Sequence, residues 1–500
     1  MGKTAKIRNS NILWSALAVI LNAGINLLMV PYITAQIGVD AYGFISLGNN
    51  LISYVDMISM ALNSYAGRYI AMAYHQHRAK RANQYYSSLM IADGILCGML
   101  FIPCGIFIIF ADRILTIPNN LVSDVKILFL FLLLRYFFVI MRNALDTATF
   151  IKNRLDITAK IRTGSYLVQA ATLTLLYSTL QAKTWFVGFA GLLSAIFFFF
   201  LQYLAKSKLI PEFHTDKKAF SIADIKTFLS LGIWNVVTNL GNILNTGLDL
   251  LITNLMLDAM KMGEISIAKT ISTPTISLTN AIAEAQKPKQ MEAYSKGKTA
   301  ELVDRLKQSM RICGSVSFLI LSVFLMCGLE FFNLWIPGQD IQKVWKLTAI
   351  ALTGNAIVGL IFPLYYCYAL TKHVKLPSLL TILYGVINVV SMILLINGTN
   401  LDEYAVLLTT AVLDCCHLFD APLYGAHCLG VSKKTFYPEI GACIGYFAIS
   451  AAALKLLCTV LPAASSWWSL IGKLCITALV GAIPFGIFLR KDLRRVLTKI

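Results

Sequence analysis

The residues best suited to chemistry are two arginines inside an apolar run. Residues 129–150 read FLFLLLRYFFVIMRNALDTATF, which is long enough to cross a bilayer, yet the run contains Arg135 and Arg142. An arginine at the bilayer centre costs about 2.5–3.5 kcal/mol even on lenient insertion scales. Seven residues are two helical turns, so both guanidinium groups project from one face, about 10 Å apart along the axis. Because a guanidinium binds phosphate oxygens bidentately, the pattern indicates a water-filled cavity that receives an anion.

Two other interpretations stay open for these arginines. Asp146 lies four residues after Arg142 and could neutralise it in an ion pair within the helix. Arg142 could also extend its side chain to the membrane surface. Arg135 lies nearer mid-depth and has no such partner in the neighbouring sequence, so the cavity interpretation is stronger there.

Other apolar runs also carry polar residues at helical spacing. One such stripe consists of Asn49, Ser53, Asp56, Met60, Asn63 and Gly67. A polar stripe in a membrane helix turns toward protein or water, so it either joins helices by hydrogen bonds or lines a cavity. Asp249 is either a proton or sodium site or the partner of Lys269 in the following run. The candidates for cavity lining or ion coupling are Asp56, Asn63, Asn245 and Asp249.

The sequence predicts no enzyme, metal site or cofactor. It has no glycine-rich phosphate loop, no nucleophile elbow and no carboxylate pair placed for acid–base work. The eleven cysteines form no CxxC motif and act as small hydrophobes in apolar runs. Asp414, His417 and Asp420 are spaced like metal ligands, but a polar patch between helices is the better interpretation. Lys473 is expected to extend its ammonium group to the outer surface.

Composition identifies the elements that position these residues. The chain has 500 residues, of which 57% are hydrophobic and 14% charged, and its mean hydropathy is +0.69. Soluble domains carry about 25% charged residues, and apolar runs of spanning length recur here from end to end. The sequence therefore predicts an all-α polytopic membrane protein. The net charge of +18 comes from loops between spans and gives no reason to expect nucleic-acid binding.

A hydropathy window of about 19 residues predicts fourteen spans. They are 11–37, 42–70, 86–110, 124–150, 163–181, 184–205, 227–255, 264–285, 309–335, 343–369, 376–397, 404–428, 439–461 and 467–489. An even number places both termini on one side. Lys and Arg crowd the loops on that side, so both termini are predicted to be cytoplasmic. The opposite side offers Arg113, Lys126, Lys183, Lys261, Lys343 and Lys346.

An internal repeat divides the chain. When residues 8–83 are laid on 228–303, Trp14 meets Trp234, Gly43 meets Gly263 and Ser46 meets Ser266, with matching hydropathy. The two copies share one topology, which is typical of parallel repeats related by an axis along the membrane normal. We therefore predict two pseudo-symmetric six-helix lobes and an added helix pair. Their bounds are 1–205 for the first lobe, 206–226 for a solvated cytoplasmic linker, 227–428 for the second lobe, and 429–500 for the last helix pair and basic tail.

The opening of the chain resembles a known family. Residues 11–88 are similar to the start of the bacterial Wzx-type polysaccharide repeat-unit flippases, within the superfamily that also holds the MATE exporters and the peptidoglycan lipid flippase. The positions that carry the likeness are Pro31, Gly38, Tyr42 and Gly43, together with LNSYAGRYIA at 62–71 and the basic loop after it. The topology fits over the whole chain, whereas the residue-level fit is best over the first hundred residues.

The resemblance implies a fold and a function. It implies two lobes arranged in a V, alternating access around a cationic central cavity, and transfer of an undecaprenyl-pyrophosphate-linked oligosaccharide across the bacterial cytoplasmic membrane. In this chain Arg135, Arg142 and Lys269 would supply the positive charge of that cavity. They take this role by their charge and position, since they match no motif of the family residue by residue. The last helix pair would form a groove for the lipid tail. Association with a polysaccharide polymerase and glycosyltransferases stays open.

Three alternatives remain at the level of sequence. A MATE-like ion-coupled drug or cation antiporter shares the topology. The cavity of such an antiporter favours acidic and aromatic walls, so Arg135 and Arg142 count against this alternative. A membrane polymerase or ligase is disfavoured because the external loops are short. Transport of another carrier lipid, such as a teichoic acid precursor or the peptidoglycan lipid, is the third.

Overall fold

The computed structural model describes residues 2–490, with side chains from residue 10 onward except Ile12, Ser15, Ala16, Ile20, Leu231 and Trp234. This part of the chain is helical and contains no strand. The basic tail from 491 lies outside the described residues. The helices are α1 Gly2–Ile37, α2 Val39–His75, α3 Ala79–Ile109, α4 Ala111–Ile114, α5 Val122–Ile151, α6 Leu155–Thr179, α7 Trp185–Leu209, α8 Ile222–Asn242, α9 Asp249–Met256, α10 Ala259–Ser295, α11 Thr299–Trp335, α12 Ile341–Leu370, α13 Lys375–Gly398, α14 Glu403–Leu429, α15 Tyr437–Val460 and α16 Trp467–Phe488.

Thirteen of the fourteen predicted spans each correspond to a single helix in this structure, and the predicted fold class is confirmed. The span predicted at 227–255 comprises α8 and α9, and α4 is an added single turn. Local sequence fixes several helix starts. The side chain of Ser221 accepts a hydrogen bond from Asp224 N at the start of α8, and Asp340 does the same from Lys343 N at the start of α12.

A π-helical turn at Ile243–Gly247 separates α8 from α9. Such turns leave backbone groups without their usual partners and are frequent at functional sites. Here the carbonyl of Gly247 accepts hydrogen bonds from Asn50 Nδ2 (3.3 Å) and from the hydroxyl of Tyr54 on α2. The interruption is therefore stabilised by two polar side chains of a neighbouring helix.

Packing divides the chain into two compact units, unit 1 (Met1–Gly263) and unit 2 (Glu264–Ile500). A core cluster of unit 1 includes Leu62, Tyr86, Leu145, Phe213 and Phe228. A core cluster of unit 2 includes Leu306, Phe318, Leu360, Phe436 and Phe485. The boundary between the units falls within α10. The bounds of the two lobes that the repeat indicated stay a prediction.

The internal repeat aligns Gly43 with Gly263, and these two glycines lie in close contact. A Cβ built on Gly43 would lie 2.9 Å from the backbone nitrogen of Gly263, and one built on Gly263 would lie 2.1 Å from the carbonyl oxygen of Val39. Only glycine permits this approach of α2 and α10, because any side chain would overlap backbone atoms. One of the three identities that revealed the repeat thus has a packing reason.

The segment predicted as a solvated linker, 206–226, packs closely on α3. Phe213 is 1% exposed and stacks on the ring of Tyr86 at a centroid distance of 5.3 Å. The hydroxyl of Ser87 donates to His214 O (2.9 Å), and the ammonium of the buried Lys206 donates to Phe213 O. Apolar side chains of this segment complete the core of unit 1, whereas its Lys208, Lys217 and Lys218 are exposed, so the segment is amphipathic.

In the described residues, nine helices are long and apolar enough to cross a membrane by length and composition alone. The predicted spans outside that set are α2, α5, α6, the pair α8 and α9, and α10. These are the helices that carry the candidate site residues. Polarity is thus concentrated in a subset of the helices, most of which belong to unit 1.

Candidate functional site

Arg135 lies on α5 in unit 1 with its side chain half-buried. Its Nη1 donates a long hydrogen bond of 3.5 Å to Asn49 Oδ1 on α2. A Cβ built on Gly191 of α7 would be 3.3 Å from Arg135 Cδ, so the glycine leaves room for the arginine side chain. Within the described residues Arg135 forms no ion pair with a carboxylate. Its charge is therefore not neutralised by a direct partner in this part of the chain.

Arg142, two turns further along α5, differs in this respect. Its Nε lies 3.3 Å from Asp146 Oδ2, and its guanidinium lies over the ring of Phe198 at 4.1 Å from the centroid. The ion pair within the helix, one of the interpretations that the sequence left open, is the arrangement observed. Arg142 can turn toward an anion only by giving up or sharing Asp146.

Beside Asn49, unit 1 contains a cavity of about 150 Å³ between α1, α2 and α6. Its polar lining consists of Asn22, Asn26, Tyr42, Ser46, Asn49, Tyr166 and Gln169. Its apolar lining includes Ile25, Met29, Ile33 and Leu173. Of these residues the sequence placed Asn49 in a polar stripe but predicted none as a site candidate, although the spacing of Asn22 and Asn26 at i,i+4 was available as a signal.

The other candidates on α2 join helices together. Asp56 Oδ1 accepts hydrogen bonds from the hydroxyls of Ser59 (2.7 Å) and of Tyr136 on α5 (3.1 Å). Asn63 Nδ2 donates to Asp93 Oδ1 on α3 (2.9 Å), and Asp93 is fully buried. Both candidates therefore bridge helices, the first of the two roles considered for the stripe. Sequence analysis did not single out Asp93.

The remaining candidates lie along α8 to α10. Asn245 is part of the π-helical turn, and Asp249 is the buried first residue of α9, close enough to Tyr54 for electrostatic interaction. Lys269 is half-buried on α10 in unit 2. Two of the three predicted cations thus belong to unit 1 and the third to unit 2.

The described residues contain no group of three or more His, Cys, Asp and Glu side chains that could hold a metal ion. His417 Nδ1 lies 3.1 Å from both carboxylate oxygens of Asp420, and the ring of Tyr384 packs on the imidazole. This is the polar patch between helices that the spacing of these residues indicated.

The sequence and fold have clear relatives. A model of the polysaccharide biosynthesis protein family matches residues 9–288, more than half of the chain. The chain is 30% identical over 429 residues to the uncharacterized membrane protein EpsK of Bacillus subtilis (strain 168), covering 85% of this chain and 84% of that protein. The solved lipid II flippase MurJ, in an inward closed conformation, is similar in fold with a TM-score of 0.71 and 15% identity, over 97% of this chain and 99% of that one.

A multidrug resistance MATE family transporter of the MOP superfamily, solved in an inward-facing conformation, has a TM-score of 0.67 and 14% identity, over 83% of this chain and 94% of that one. At such identities the two structural likenesses establish the fold alone. The first of these two solved proteins, MurJ, is a flippase and the second is a transporter. The family match and the EpsK relative confirm the resemblance seen in residues 11–88. The chain is thus a multi-pass membrane protein that belongs to the polysaccharide biosynthesis protein family.

Proposed function

We propose that this protein moves an undecaprenyl-pyrophosphate-linked oligosaccharide from the cytoplasmic to the outer leaflet by alternating access, for the synthesis of a surface polysaccharide such as O-antigen, capsule or exopolysaccharide. The observation that carries the proposal is Arg135, an arginine within the span of α5 that forms no ion pair with any described residue. An intramembrane charge is expensive and marks a substrate pathway by default.

Pyrophosphate suits this position in charge and geometry. Its oxygens accept the paired hydrogen bonds that a guanidinium donates, and its negative charge offsets the cost of keeping Arg135 in the span. Asn49 holds the guanidinium only weakly, through a contact of 3.5 Å, so an anion can replace it readily. Arg142 and Lys269 are proposed as further cations along the path, with Arg142 weakened in this role by Asp146.

The proposed setting follows the charge distribution of the loops. The protein lies in the bacterial cytoplasmic membrane with both termini in the cytoplasm, and the regions 1–205 and 227–428 act as the two lobes. The helix pair in 429–500 contacts the lipid tail. In unit 2, α15 and α16 expose large apolar side chains suited to contact with lipid: Ile449, Leu456, Val460, Trp468, Leu479 and Ile487. The expected partners are glycosyltransferases, which act before transport, and a polymerase, which acts after it.

A second candidate is a MATE-like antiporter for cations or drugs. The observation in its favour is the pair of carboxylates in unit 1, Asp56 and the fully buried Asp93, which could carry a proton or sodium ion. Arg135 opposes it, because a cationic substrate would be repelled by a guanidinium that has no carboxylate beside it in the described residues.

The test is translocation in proteoliposomes of a lectin-detectable undecaprenyl-pyrophosphate oligosaccharide. We expect lectin-accessible sugar to appear on the far leaflet with wild-type protein and not with empty vesicles. Parallel vesicles loaded with a cationic dye under proton and sodium gradients test the antiporter. Dye movement without movement of the lipid would overturn the proposal.

A further inference from the structure

We propose that the cavity between α1, α2 and α6 is a subsite for an uncharged sugar ring of the transported lipid, next to the pyrophosphate on Arg135. This inference rests on the proposed function and adds a substrate class to it: the sugar unit that follows the phosphate is neutral.

The polar wall consists mostly of carboxamides and phenols. Amides carry hydrogen-bond donors and acceptors together, and so do sugar hydroxyls. Each amide can therefore donate a hydrogen bond to a hydroxyl or accept one from it. None of the residues that line the cavity carries a charge. The apolar part of the wall, with Met29, Ile33 and Leu173, offers contact for the carbon–hydrogen faces of a sugar ring. Such a mixture of apolar surface and a few placed polar groups is typical of small-molecule sites.

Two side chains of this polar wall, Tyr166 and Gln169, make no hydrogen bond with any described residue. Asn26 Nδ2 reaches Asn22 Oδ1 at only 3.4 Å. Polar groups inside a span normally find partners, because leaving them unsatisfied away from water costs free energy. A cavity with this much free capacity is suited to a ligand rich in hydroxyl groups.

Asn49 connects the cavity to the arginine. It lines the cavity, its Nδ2 is held by Ile45 O at 2.9 Å, and its Oδ1 accepts from Arg135. The phenol of Tyr166 is close enough to Arg135 for electrostatic interaction. A lipid whose phosphate bonds Arg135 would therefore bring its first sugar to this wall. A carboxylate on that sugar would have no cation of its own among the lining residues.

The experiment measures equilibrium binding of five lipids by the full chain in detergent micelles. The probes are bare undecaprenyl pyrophosphate, and the same lipid carrying glucose, galactose, N-acetylglucosamine or galacturonate. We expect at least one neutral sugar to tighten binding about tenfold over the bare lipid, as one or two added hydrogen bonds would do. Galacturonate, which differs from galactose by a carboxylate, should give no gain.

Variants then locate the gain. Gln169→Leu should remove most of it while leaving the affinity for bare undecaprenyl pyrophosphate unchanged, and Tyr166→Phe should lower the gain as well. Thr174→Val is the matched control on α6, since its hydroxyl bonds only Ala170 O of its own helix, and it should change nothing. Arg135→Gln should weaken binding of every lipid.

The outcomes separate the two proposals. If bare lipid binds through Arg135 but no neutral sugar adds affinity, or if the gain survives both α6 variants, the sugar subsite is wrong and the flippase proposal stands. A galacturonate gain equal to that of galactose would also overturn it. If wild-type protein binds none of these lipids, the proposed function fails and the subsite fails with it.

Discussion

Two sets of cations within helices, Arg135 in unit 1 and Lys343 and Lys473 in unit 2, are held in different ways. In unit 2, Lys343 Nζ lies 2.7 Å from a carboxylate oxygen of Glu264 and 2.7 Å from one of Glu403, and both glutamates are buried. Lys473 is likewise buried, 2.6 Å from Glu330. In unit 1, the partner found for Arg135 is the amide oxygen of Asn49.

The difference separates structural charge from charge available to a ligand. A cation held by buried carboxylates has its field cancelled locally, and removing it leaves those carboxylates uncompensated. A cation held by a weak amide contact keeps its field and loses little when the amide is exchanged for an anion. We therefore expect substitution of Lys343 or Lys473 to change stability, and substitution of Arg135 to change function.

The largest effect on stability is expected for Lys343→Met. It leaves Glu264 and Glu403 buried without their cation, which should lower the free energy of unfolding by about 3–5 kcal/mol. Thermal unfolding of the detergent-solubilised protein measures this, with Lys343→Arg as the charge-preserving control. Arg135→Gln, measured alongside, should unfold close to the wild-type temperature. Equal destabilisation by Lys343→Met and Arg135→Gln would remove the distinction between these two cations.

A pair of glycines on α7 gives a smaller, sharper test. A Cβ on Gly191 would meet the side chain of Arg135, 3.3 Å from Cδ, whereas one on Gly188 would lie 3.0 Å from the backbone oxygen of Leu128. A side chain can move and a helix backbone cannot move as easily. Gly191→Ala should therefore reduce transport severalfold with little change in unfolding temperature.

The matched variant Gly188→Ala should show the reverse pattern, a lower unfolding temperature with transport retained per folded molecule. Its cost should be about 1–3 kcal/mol, the usual range for overpacking. Loss of stability in Gly191→Ala without loss of transport would mean that Arg135 is part of the packing and not of the site.

The smallest effect concerns the ion pair between the exposed side chain of Arg154 and the buried Asp156, which precedes the span predicted at 163–181. The hydrogen bond from the guanidinium of Arg154 lowers the pKa of Asp156 from its ordinary value. A lowered folded-state pKa stabilises the protein above the unfolded value of about 3.9, and the contribution is lost as the pH falls through the folded-state pKa. Because Arg154 is exposed, the effect should be about 1 kcal/mol or less.

Acid unfolding curves of wild type and Arg154→Gln provide the measurement. The variant should be slightly less stable at neutral pH, and the two curves should converge below pH 4. A difference in stability between the two proteins that grows toward low pH would show that Arg154 does not lower the pKa of Asp156.

Much of the fold was predictable because membrane helices are long and apolar. Their runs are local in sequence, so each of the fourteen predicted spans matches helix in the structure. The pairing of Arg142 with Asp146 was available for the same reason, since residues four apart on a helix are neighbours. The π-helical turn in 243–247 was not, because the asparagines at helical spacing around it read as a continuous helix.

Contacts between distant helices escaped prediction. Lys473 was expected to reach the outer surface, which is wrong: it is 7% exposed and bonded to Glu330 of α11. Asp93 and Gln169 each stand alone in an apolar stretch, and one sequence does not fix which face of the helix they occupy. The role of Arg135 depends on the same helix phase, and it stays a prediction until it is measured.

The measurement that tests the central claim most directly is transport of the undecaprenyl-pyrophosphate oligosaccharide by Arg135→Gln in proteoliposomes, beside wild type and Arg135→Lys. Loss of charge-assisted hydrogen bonds to the pyrophosphate predicts a fall of about ten- to a hundredfold for Arg135→Gln. Arg135→Lys, which keeps the charge without the bidentate fork, should be intermediate. Both proteins should unfold near the wild-type temperature. Wild-type transport by a folded Arg135→Gln protein would contradict the account, because the arginine would then have no part in carrying the anion.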